Sequence, residues 1–403
     1  MYDRKKYINK IMLYTDMPFI KIITGMQRCG KTTILHMIQD RLQIERGIPE
    51  AQCVYYRFDT MAYKEISSAY LEECLKQHII PNKRTYFFLD EIHCVDGWEE
   101  IVGALQAQFD VDIYVTGSNA RVASSPVQLE LAGRFIIFHI YPISFKEYLT
   151  ISQNQAPDNT DIKNEFMNYM QCSTLPLINI NRNNRNELYT RIQDIYSAIV
   201  YTQILKQNKI RRPEQIDQVF SYILHHIGET FSAKAIVDAL KTNQYKADNE
   251  TVSSYLEKLA SAYIIRRCQR YDLQQQLVLK TQQKFYLTDI AMYHAYLGFD
   301  EENLDKYIEN LVYLELCRRG YEVYIGKLGN KEITFVAKKH DETIYIQVLA
   351  KHLSQEIKLQ RYDALLSIRD NYPKYVLRTD DFTIDNYHGV KTMQVTDFLL
   401  MEY

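Results

Sequence analysis

The feature that most constrains the fold is a motif of glycines and a lysine near the start of the sequence. Residues 25–32 read Gly-Met-Gln-Arg-Cys-Gly-Lys-Thr and fit G-x-x-x-x-G-K-[ST] at every fixed position. The preceding run, 19–24, is short and rich in β-branched residues, which predicts a strand. The following run, 32–41, spaces its isoleucine and leucine residues along one helix face. The motif therefore lies in the strand, loop and helix context of a phosphate-binding loop.

The residue types of the motif suit a bound triphosphate. Gly25 and Gly30 permit positive φ and close approach, so successive N–H groups can point at a phosphate on the positive end of a helix. Lys31 would reach the β- and γ-phosphates, and the Thr32 hydroxyl would bind Mg²⁺. The alternative is a plain glycine turn, which is a rare coincidence at this spacing in a chain with 13 glycines among 403 residues. The predicted nucleotide-binding residues are Gly25, Met26, Gln27, Arg28, Cys29, Gly30, Lys31, Thr32 and Thr33.

A second segment strengthens the prediction. Residues 86–91 form an apolar strand that ends in Asp90 and Glu91. In a parallel sheet these carboxylates would lie beside the phosphate loop, Asp90 with Thr32 as a metal ligand and Glu91 polarising the attacking water. An apolar run that ends in Asp-Glu is, taken alone, an ordinary strand end.

Length and composition bound the class of protein. The chain is long enough for two or three domains, and its net charge of −2 provides no general attraction to nucleic acid. Seven scattered cysteines without a C-x-x-C pair predict a reducing compartment without disulfides or a zinc site. The sequence has no 18-residue apolar run, and its first ten residues are polar. We therefore expect a cytoplasmic protein that does not contact a membrane.

Strands and helices alternate over the first 150 residues. The predicted strands are 19–24, 53–58, 85–90, 112–119 and 135–140, with helical patterns at 32–41, 66–78 and 99–109. This alternation predicts an α/β fold, a parallel P-loop sheet covered on both faces.

Two further positions are candidate catalytic residues. Ser118 or Asn119, at the end of the 112–119 strand, could orient the attacking water, although either could instead cap the next helix. Arg134 opens the 135–140 strand and could offset charge on the transferring phosphoryl group, in its own subunit or in a neighbour. Its alternative is a surface ion pair.

The middle of the chain has the pattern of a winged helix-turn-helix. Helical patterns at 213–227, 232–241 and 249–262 precede two predicted strands, 263–268 and 284–287. Such a module binds DNA or serves as a protein or subunit contact. The 249–262 helix carries Lys258 but also Glu250 and Glu257, which favours the protein or homo-oligomer contact over DNA.

The last hundred residues predict a compact α/β unit. A helix at 300–320 is followed by strands 321–326, 331–338 and 343–349, a helix at 355–369 and a strand at 375–378. Two polar runs, 154–160 and 179–186, are predicted loops or linkers.

Several segments together resemble the AAA-superfamily ATPases of bacteria and archaea. They are 25–32, Leu89-Asp90-Glu91-Ile92, Trp98-Glu99, Thr116-Gly117-Ser118-Asn119, Gly133-Arg134 and 142–148, with later matches at 286–289, 309–316, 320–324 and 371–377. The resemblance implies an ATPase domain at 1–152, a helical linker and winged helix at 153–298, and a C-terminal domain at 299–403. It also implies ATP and Mg²⁺ as ligands, hydrolysis by Lys31, Thr32, Asp90 and Glu91, and Arg134 as arginine finger.

The chain departs from this family in three places. Residues 172–176 replace a Gly-Gly-x-Pro turn, and His93 stands where the family shows Gln. The C-terminal domain resembles the restriction-endonuclease core, but Thr334 and Leu349 stand where its metal site needs aspartate and lysine. This predicts a scaffold without cleavage activity. Two alternatives to an ATPase remain open: a nucleotide-gated DNA- or protein-binding module with little turnover, and an ATP-gated metal nuclease.

Cys29 lies inside the phosphate loop. A helix N-terminus lowers the pKa of a thiol, so one hypothesis is that oxidation of Cys29 blocks nucleotide binding. The other is an inert structural thiol.

Overall fold

The structure, a computed structural model, describes most of the chain. The described residues are 4–60, 66–123, 127, 130, 131, 133–153, 161–176, 185–206, 210, 213–242, 245, 247–350, 353–380 and 386–402. The chain forms two compact units, of which the first is Met1–Pro142 with Ser261–Tyr263 and the second is Ile143–Ala260 with Ile264–Tyr403.

The first unit is built on a five-stranded sheet. Its elements are α1 (Lys5–Met12), β1 (Ile20–Thr24), α2 (Lys31–Arg46), β2 (Cys53–Arg57), α3 (Ser68–Lys76), β3 (Thr85–Asp90), α4 (Trp98–Gln108), β4 (Val111–Gly117) and β5 (Phe135–His139). All residues of β1 and β3 are buried, as expected of strands that are covered on both faces.

The strand order of this sheet positions the candidate site. The order is β2-β3-β4-β1-β5, and all neighbouring strands are parallel. The parallel sheet predicted from the alternating pattern is thus confirmed. Because the strands are parallel, the loops that follow β1, β3 and β4 leave from one edge of the sheet. The phosphate loop, the Asp90-Glu91 pair and Ser118-Asn119 therefore meet at this edge.

The second unit contains a larger, mixed sheet. Its elements are α5 (Phe145–Gln153), α6 (Ile162–Gln171), α7 (Arg185–Ile199), α8 (Glu214–His225), α9 (Ala233–Thr242), α10 (Asn249–Ser261), β6 (Ile265–Asp272), β7 (Leu277–Leu287), α11 (Ala291–Leu297), α12 (Leu304–Arg318), β8 (Glu322–Leu328), β9 (Lys331–Lys339), β10 (Glu342–Leu349), α13 (Gln355–Leu366), β11 (Lys374–Arg378), β12 (Asn386–Tyr387), β13 (Val390–Gln394) and α14 (Val395–Leu400). The strand order is β12-β13-β11-β10-β9-β8-β6-β7.

The two strands of the predicted winged helix belong to the larger sheet of the second unit. Helices α8, α9 and α10 precede the antiparallel pair β6 and β7, in the predicted order. However, β6 also pairs in parallel with β8, with Arg270 opposite Ile325. The predicted boundary between 298 and 299 therefore separates strands that belong to one eight-stranded sheet.

Parts of two sequence predictions lie outside the described residues. The polar run 154–160 is not among them, and of the run 179–186 only the last two residues are described. These two residues begin α7.

Candidate functional site

The phosphate loop requires glycine at two positions. A Cβ on Gly25 would lie 2.3 Å from the backbone oxygen of Ile140, and the residue has φ 153°. Gly30 has φ 102° and immediately precedes α2. A side chain at Gly25 would collide with backbone, and one at Gly30 would be strained. The loop therefore holds its shape through the two glycines that the motif fixes.

The loop presents backbone rather than side chains at the helix end. Met26 and Cys29 are fully buried, whereas Arg28 is exposed and has φ 68°. Gly30 caps α2 without a side-chain hydrogen bond to its N–H groups. The first N–H groups of a helix have no partner within the helix, and they carry partial positive charge. This arrangement suits an anion such as a phosphate group.

Lys31 folds back over the loop. Its ammonium donates hydrogen bonds to the backbone oxygens of Gly25 and Met26, both at 3.2 Å, and to Ser118 Oγ at 2.9 Å. The side chain is 3% exposed. Its charge is thus held against the backbone of the loop, next to Ser118.

Asp90 is the centre of a hydrogen-bond network. Its Oδ2 accepts from the Thr32 hydroxyl at 2.8 Å and from the Tyr55 hydroxyl at 3.0 Å, and its Oδ1 accepts from Thr116 Oγ1 at 2.5 Å. Thr32 and Asp90 therefore place a hydroxyl and a carboxylate side by side. Mg²⁺ prefers such hard oxygen ligands, so these two residues fit a magnesium ion.

Glu91 lies in the left-handed region, with φ 53°, and its carboxylate turns toward Ser118. The backbone N–H and the hydroxyl of Ser118 donate to it, at 3.1 and 2.5 Å, and Lys31 Nζ lies 3.5 Å away. Burial favours a higher pKa for Glu91, but the charge of Lys31 and the Ser118 hydrogen bond help to lower its pKa overall. Glu91 is therefore ionised at neutral pH, a state suited to orienting water.

His93 lies against this carboxylate. Its Nδ1 is 3.3 Å from Glu91 Oε2. Burial lowers the pKa of His93 more than the attraction of Glu91 raises it, so the imidazole is uncharged at neutral pH. The sequence left this residue without a role, and the structure places it next to the candidate water-activating group.

Ser118 and Asn119 were alternatives in the sequence. The Ser118 hydroxyl contacts both Lys31 and Glu91, whereas Asn119 is buried beside it, at 3% exposed. The water-orienting role of Asn119 stays a prediction.

Within one chain, Arg134 lies at the opposite end of the sheet from the phosphate loop. It directly precedes β5, and its backbone oxygen accepts from Ile20 N at 2.9 Å, at the start of β1. The phosphate loop follows the other end of β1, after Thr24. The alternative in which Arg134 acts in its own subunit does not fit this placement. The exposed side chain leaves the role in a neighbouring subunit as a prediction.

Cys29 does not have the properties of a reactive thiol. It is fully buried, and burial raises its pKa more than the charges of Lys31 and Arg4 lower it. The expectation that the helix N-terminus lowers its pKa was therefore wrong, because desolvation dominates over the helix field.

Tyr55 and Thr116 were missed because their role depends on strand register. Arg57 pairs with Asp90, so Tyr55, two residues earlier on β2, points to the same face as Arg57. Thr116 follows Val115, which pairs with Leu89 next to Asp90. The signal was polar residues near the ends of two predicted strands, but only the observed strand order makes them neighbours of Asp90.

In the second unit, Thr334, one of the two positions that depart from the nuclease metal site, is hydrogen-bonded to a neighbouring strand. Thr334 Oγ1 donates to Gln347 Oε1 at 2.7 Å, and both residues are buried. Lys284 Nζ lies 3.0 Å from carboxylate oxygens of both Glu309 and Glu332. Within the described ranges, no group of three or more His, Cys, Asp or Glu side chains is arranged to hold a metal ion.

Residues 18–149 match the family described as "AAA domain", and residues 163–303 match a family described as "Domain of unknown function (DUF8612)". An uncharacterized protein of Haemophilus influenzae is 31% identical over 402 residues, which cover 99% of each chain. An uncharacterized protein of Methanocaldococcus jannaschii is 26% identical over 85% of this chain and 78% of that protein.

Two solved structures are similar in part. A Walker-type ATPase of Pyrococcus abyssi is 14% identical, covering 73% of this chain and 95% of that chain, with a TM-score of 0.46. The ORC1 protein of Aeropyrum pernix, solved in complex with DNA, is also 14% identical, covering 77% and 94%, with a TM-score of 0.33. Across the described part of the chain, no helix has both the length and the apolar composition needed to cross a membrane.

The sequence match with the Haemophilus influenzae protein extends over nearly the whole length of both chains. This match places the chain in the family of that protein, with an AAA-type P-loop ATPase domain at residues 18–149.

Proposed function

We propose that this protein binds ATP with Mg²⁺ and hydrolyses it. The observation that carries the proposal is the convergence of Lys31, Thr32, Asp90 and Glu91 at one edge of the parallel sheet, next to a glycine loop. These residue types supply the separate requirements of phosphoryl transfer to water: a grip on phosphate, a metal ligand pair and a group that orients water.

Each residue has one role in the proposal. The N–H groups of the loop and the Lys31 ammonium bind the phosphates, and the hydroxyl of Thr32 and the carboxylate of Asp90 hold the metal ion. A bound Mg²⁺ would neutralise part of the negative charge of the phosphates. Glu91, held by Ser118, orients the attacking water, with Asn119 as a second polar group. Arg134 would act on the nucleotide of a neighbouring subunit.

The direct test is phosphate release by the purified chain. We expect Mg²⁺-dependent release from ATP that stops when EDTA is added. The same assay with GTP tests the base preference, and duplex DNA tests whether a nucleic acid stimulates turnover. Nucleotide binding without phosphate release would instead support the nucleotide-gated binding module. Absence of binding by a folded protein would exclude both.

DNA binding remains the weaker proposal for the helix α10. The helix exposes Glu250 and Glu257, and Asp248 is exposed immediately before it. Lys258 is partly buried, and its ammonium donates to Ser254 Oγ on the same helix at 2.7 Å. An acidic helix face repels DNA phosphates, so a protein partner or a second copy of the chain fits this surface better.

The ATP-gated nuclease is not favoured either. Burial favours a lower pKa for Lys284, but Glu309 and Glu332 raise its pKa overall, so the ammonium stays charged between the two carboxylates. A metal cation would have to compete with the Lys284 ammonium for these two carboxylates. A plasmid-nicking assay with Mg²⁺ or Mn²⁺ distinguishes this alternative from a pure ATPase.

We further infer that the nucleotide state is transmitted to the second unit along the chain at Tyr263. This residue belongs to the first unit, although the segments on either side of Ser261–Tyr263, Ile143–Ala260 and Ile264–Tyr403, belong to the second. The hydroxyls of Tyr263 and Thr24 are hydrogen-bonded at 2.9 Å, and Thr24 directly precedes Gly25. Tyr263 has φ 57°, a conformation that a bulky residue keeps only where its surroundings enforce it.

Replacing Tyr263 by phenylalanine tests this coupling. The change keeps the ring and removes the hydrogen bond to Thr24, so we expect nucleotide affinity to change by less than about threefold. We expect hydrogen exchange of 249–260 and 264–287 to respond less to ATP than in the wild type. Tyr70→Phe, at an exposed tyrosine of the first unit, is the matched control. An unchanged exchange response in Tyr263→Phe would contradict the coupling.

A further inference from the structure

A buried arginine lies behind the phosphate loop. Arg4 directly precedes α1 and is 4% exposed. Its Nη1 donates to the backbone oxygen of Cys29 at 3.0 Å, and its Nη2 donates to the backbone oxygens of Tyr141 at 2.9 Å and Pro142 at 3.4 Å. Arginine is the suitable residue here, because its planar guanidinium has several donors in a fixed geometry and stays charged.

The three carbonyl groups belong to two segments that pack against each other. Cys29 is part of the phosphate loop, whereas Tyr141 and Pro142 follow β5. The two segments already approach closely, since a Cβ on Gly25 would collide with the backbone oxygen of Ile140. Arg4 therefore links the phosphate loop to its supporting segment through hydrogen bonds to both.

A neighbouring tyrosine holds Arg4 in place. The guanidinium lies 4.5 Å from the centre of the Tyr7 ring, one turn later. The Tyr7 hydroxyl accepts from the backbone N–H of Tyr141 at 3.3 Å. The start of α1 thus contributes a cation, an aromatic ring and a hydroxyl to the same support.

The contact with Cys29 determines which way one peptide group of the loop faces. In a trans peptide the C=O and the following N–H point in opposite directions. Because the Cys29 carbonyl points at Arg4, the N–H of Gly30 points away from Arg4. Gly30 is the capping residue directly before α2, so this N–H belongs to the group of donors at the helix N-terminus.

We propose that Arg4 is a positioning residue for nucleotide binding, which orients the Cys29–Gly30 peptide so that its N–H faces the phosphates. The inference rests on the proposed function, because it assigns Arg4 to the same nucleotide site. Arg4 acts through the backbone of the loop and does not touch the ligand itself. Its permanent charge also adds positive potential behind the loop.

The test compares two substitutions at this position with a charge-matched control. Arg4→Ala removes the donors and the charge, and Arg4→Lys keeps the charge but cannot make the same set of hydrogen bonds. Lys5→Ala removes an exposed cation from the first turn of the same helix. The affinity for ADP and for a slowly hydrolysed ATP analogue is measured with Mg²⁺ by calorimetry. Circular dichroism verifies folding of each variant.

We expect Arg4→Ala to weaken binding about 10- to 100-fold, the effect of losing hydrogen bonds to a charged group. Arg4→Lys should weaken it less, and Lys5→Ala should bind as the wild type does. Guanidinium ion, added at a concentration too low to unfold the protein, should partly restore binding by Arg4→Ala and not improve the wild type. A purely structural defect elsewhere would not respond to guanidinium.

The outcomes separate this inference from the proposed function. Wild-type affinity in a folded Arg4→Ala variant would overturn the role of Arg4 and leave the ATPase proposal intact. If Arg4→Ala fails to fold, wild-type affinity in Arg4→Lys together with wild-type loop protection in hydrogen exchange would overturn the role. If the wild type binds no nucleotide, the ATPase proposal itself fails.

Discussion

Replacement of Lys31 by alanine is expected to weaken Mg²⁺-nucleotide binding by about 100-fold or more, because charge-assisted contacts to the β- and γ-phosphates are lost together. Turnover should fall below detection at ordinary ATP concentrations. Isothermal titration with Mg²⁺ and ADP measures the affinity directly, and phosphate release measures turnover.

The structure adds a second consequence of this change. Lys31 is the cation that lies 3.5 Å from the buried Glu91 carboxylate, and its attraction helps to lower the pKa of Glu91. Without it, burial dominates, so the pKa of Glu91 should rise and folding stability should fall. The thermal unfolding midpoint of Lys31→Ala should therefore be measured together with its nucleotide affinity. Lys83→Ala, at an exposed lysine of the same unit, is the control for loss of charge.

A folded Lys31→Ala protein that bound ADP with wild-type affinity would contradict the assignment of the loop as a phosphate site. If Lys31→Ala loses binding because it unfolds, Lys31→Arg distinguishes this cause from the loss of a phosphate contact. This variant keeps a cation near Glu91, and it should fold while still binding nucleotide poorly, because guanidinium and ammonium differ in shape.

The second large effect is expected from Glu91→Gln. Glutamine has nearly the same shape: its amide oxygen can accept the hydrogen bond from Ser118 N, and its NH2 group can donate to Ser118 Oγ, but it lacks the charge that polarises water. We expect ATP hydrolysis to slow by about 100- to 1000-fold, as when a group that stabilises only the transition state is removed.

Nucleotide affinity should be retained or rise in Glu91→Gln. Glu91 and Ser118 both contact Lys31 in the structure, and the substitution removes the carboxylate that competes with phosphates for this ammonium. Single-turnover phosphate release and calorimetry separate the two effects. Glu45→Gln, at a mostly exposed glutamate on α2, is the matched control. Hydrolysis at the wild-type rate would show that Glu91 does not activate the water.

Glu91→Gln also provides a way to identify the partner. A variant that binds ATP but hydrolyses it slowly should accumulate in the ATP-bound state. Purifying it from cells with ATP would retain proteins or nucleic acids that prefer this state, and comparison with Lys31→Ala would remove those that bind regardless of nucleotide.

Local patterns predicted most of the first unit. The phosphate loop, the carboxylates that follow β3 and the alternation of strands and helices were all visible in the sequence, because each depends on residues that are adjacent in the chain or one helix turn apart. The ends of elements were less well defined. The helix predicted at 66–78 spans Ser68–Lys76, and the helix predicted from Thr32 to Arg41 continues to Arg46.

Predictions that depended on contacts between distant segments were incomplete. The sequence could not show that Ser118 bridges Lys31 and Glu91, since this requires β4 to lie between β1 and β3. It could not show that Arg134 lies at the opposite end of β1 from the phosphate loop. It also separated the winged-helix ribbon from the C-terminal strands, although β6 and β8 share a sheet.

By itself, the sequence determined that a glycine loop, a lysine, a hydroxyl and two carboxylates are available in an α/β chain, because chemistry and periodicity are properties of neighbouring residues. Tertiary structure alone decided which of these groups touch, that Arg4 supports the loop, and that Cys29 is too buried to ionise easily. The physical reason is that strand order, register and desolvation are set by packing between residues that are far apart in the chain.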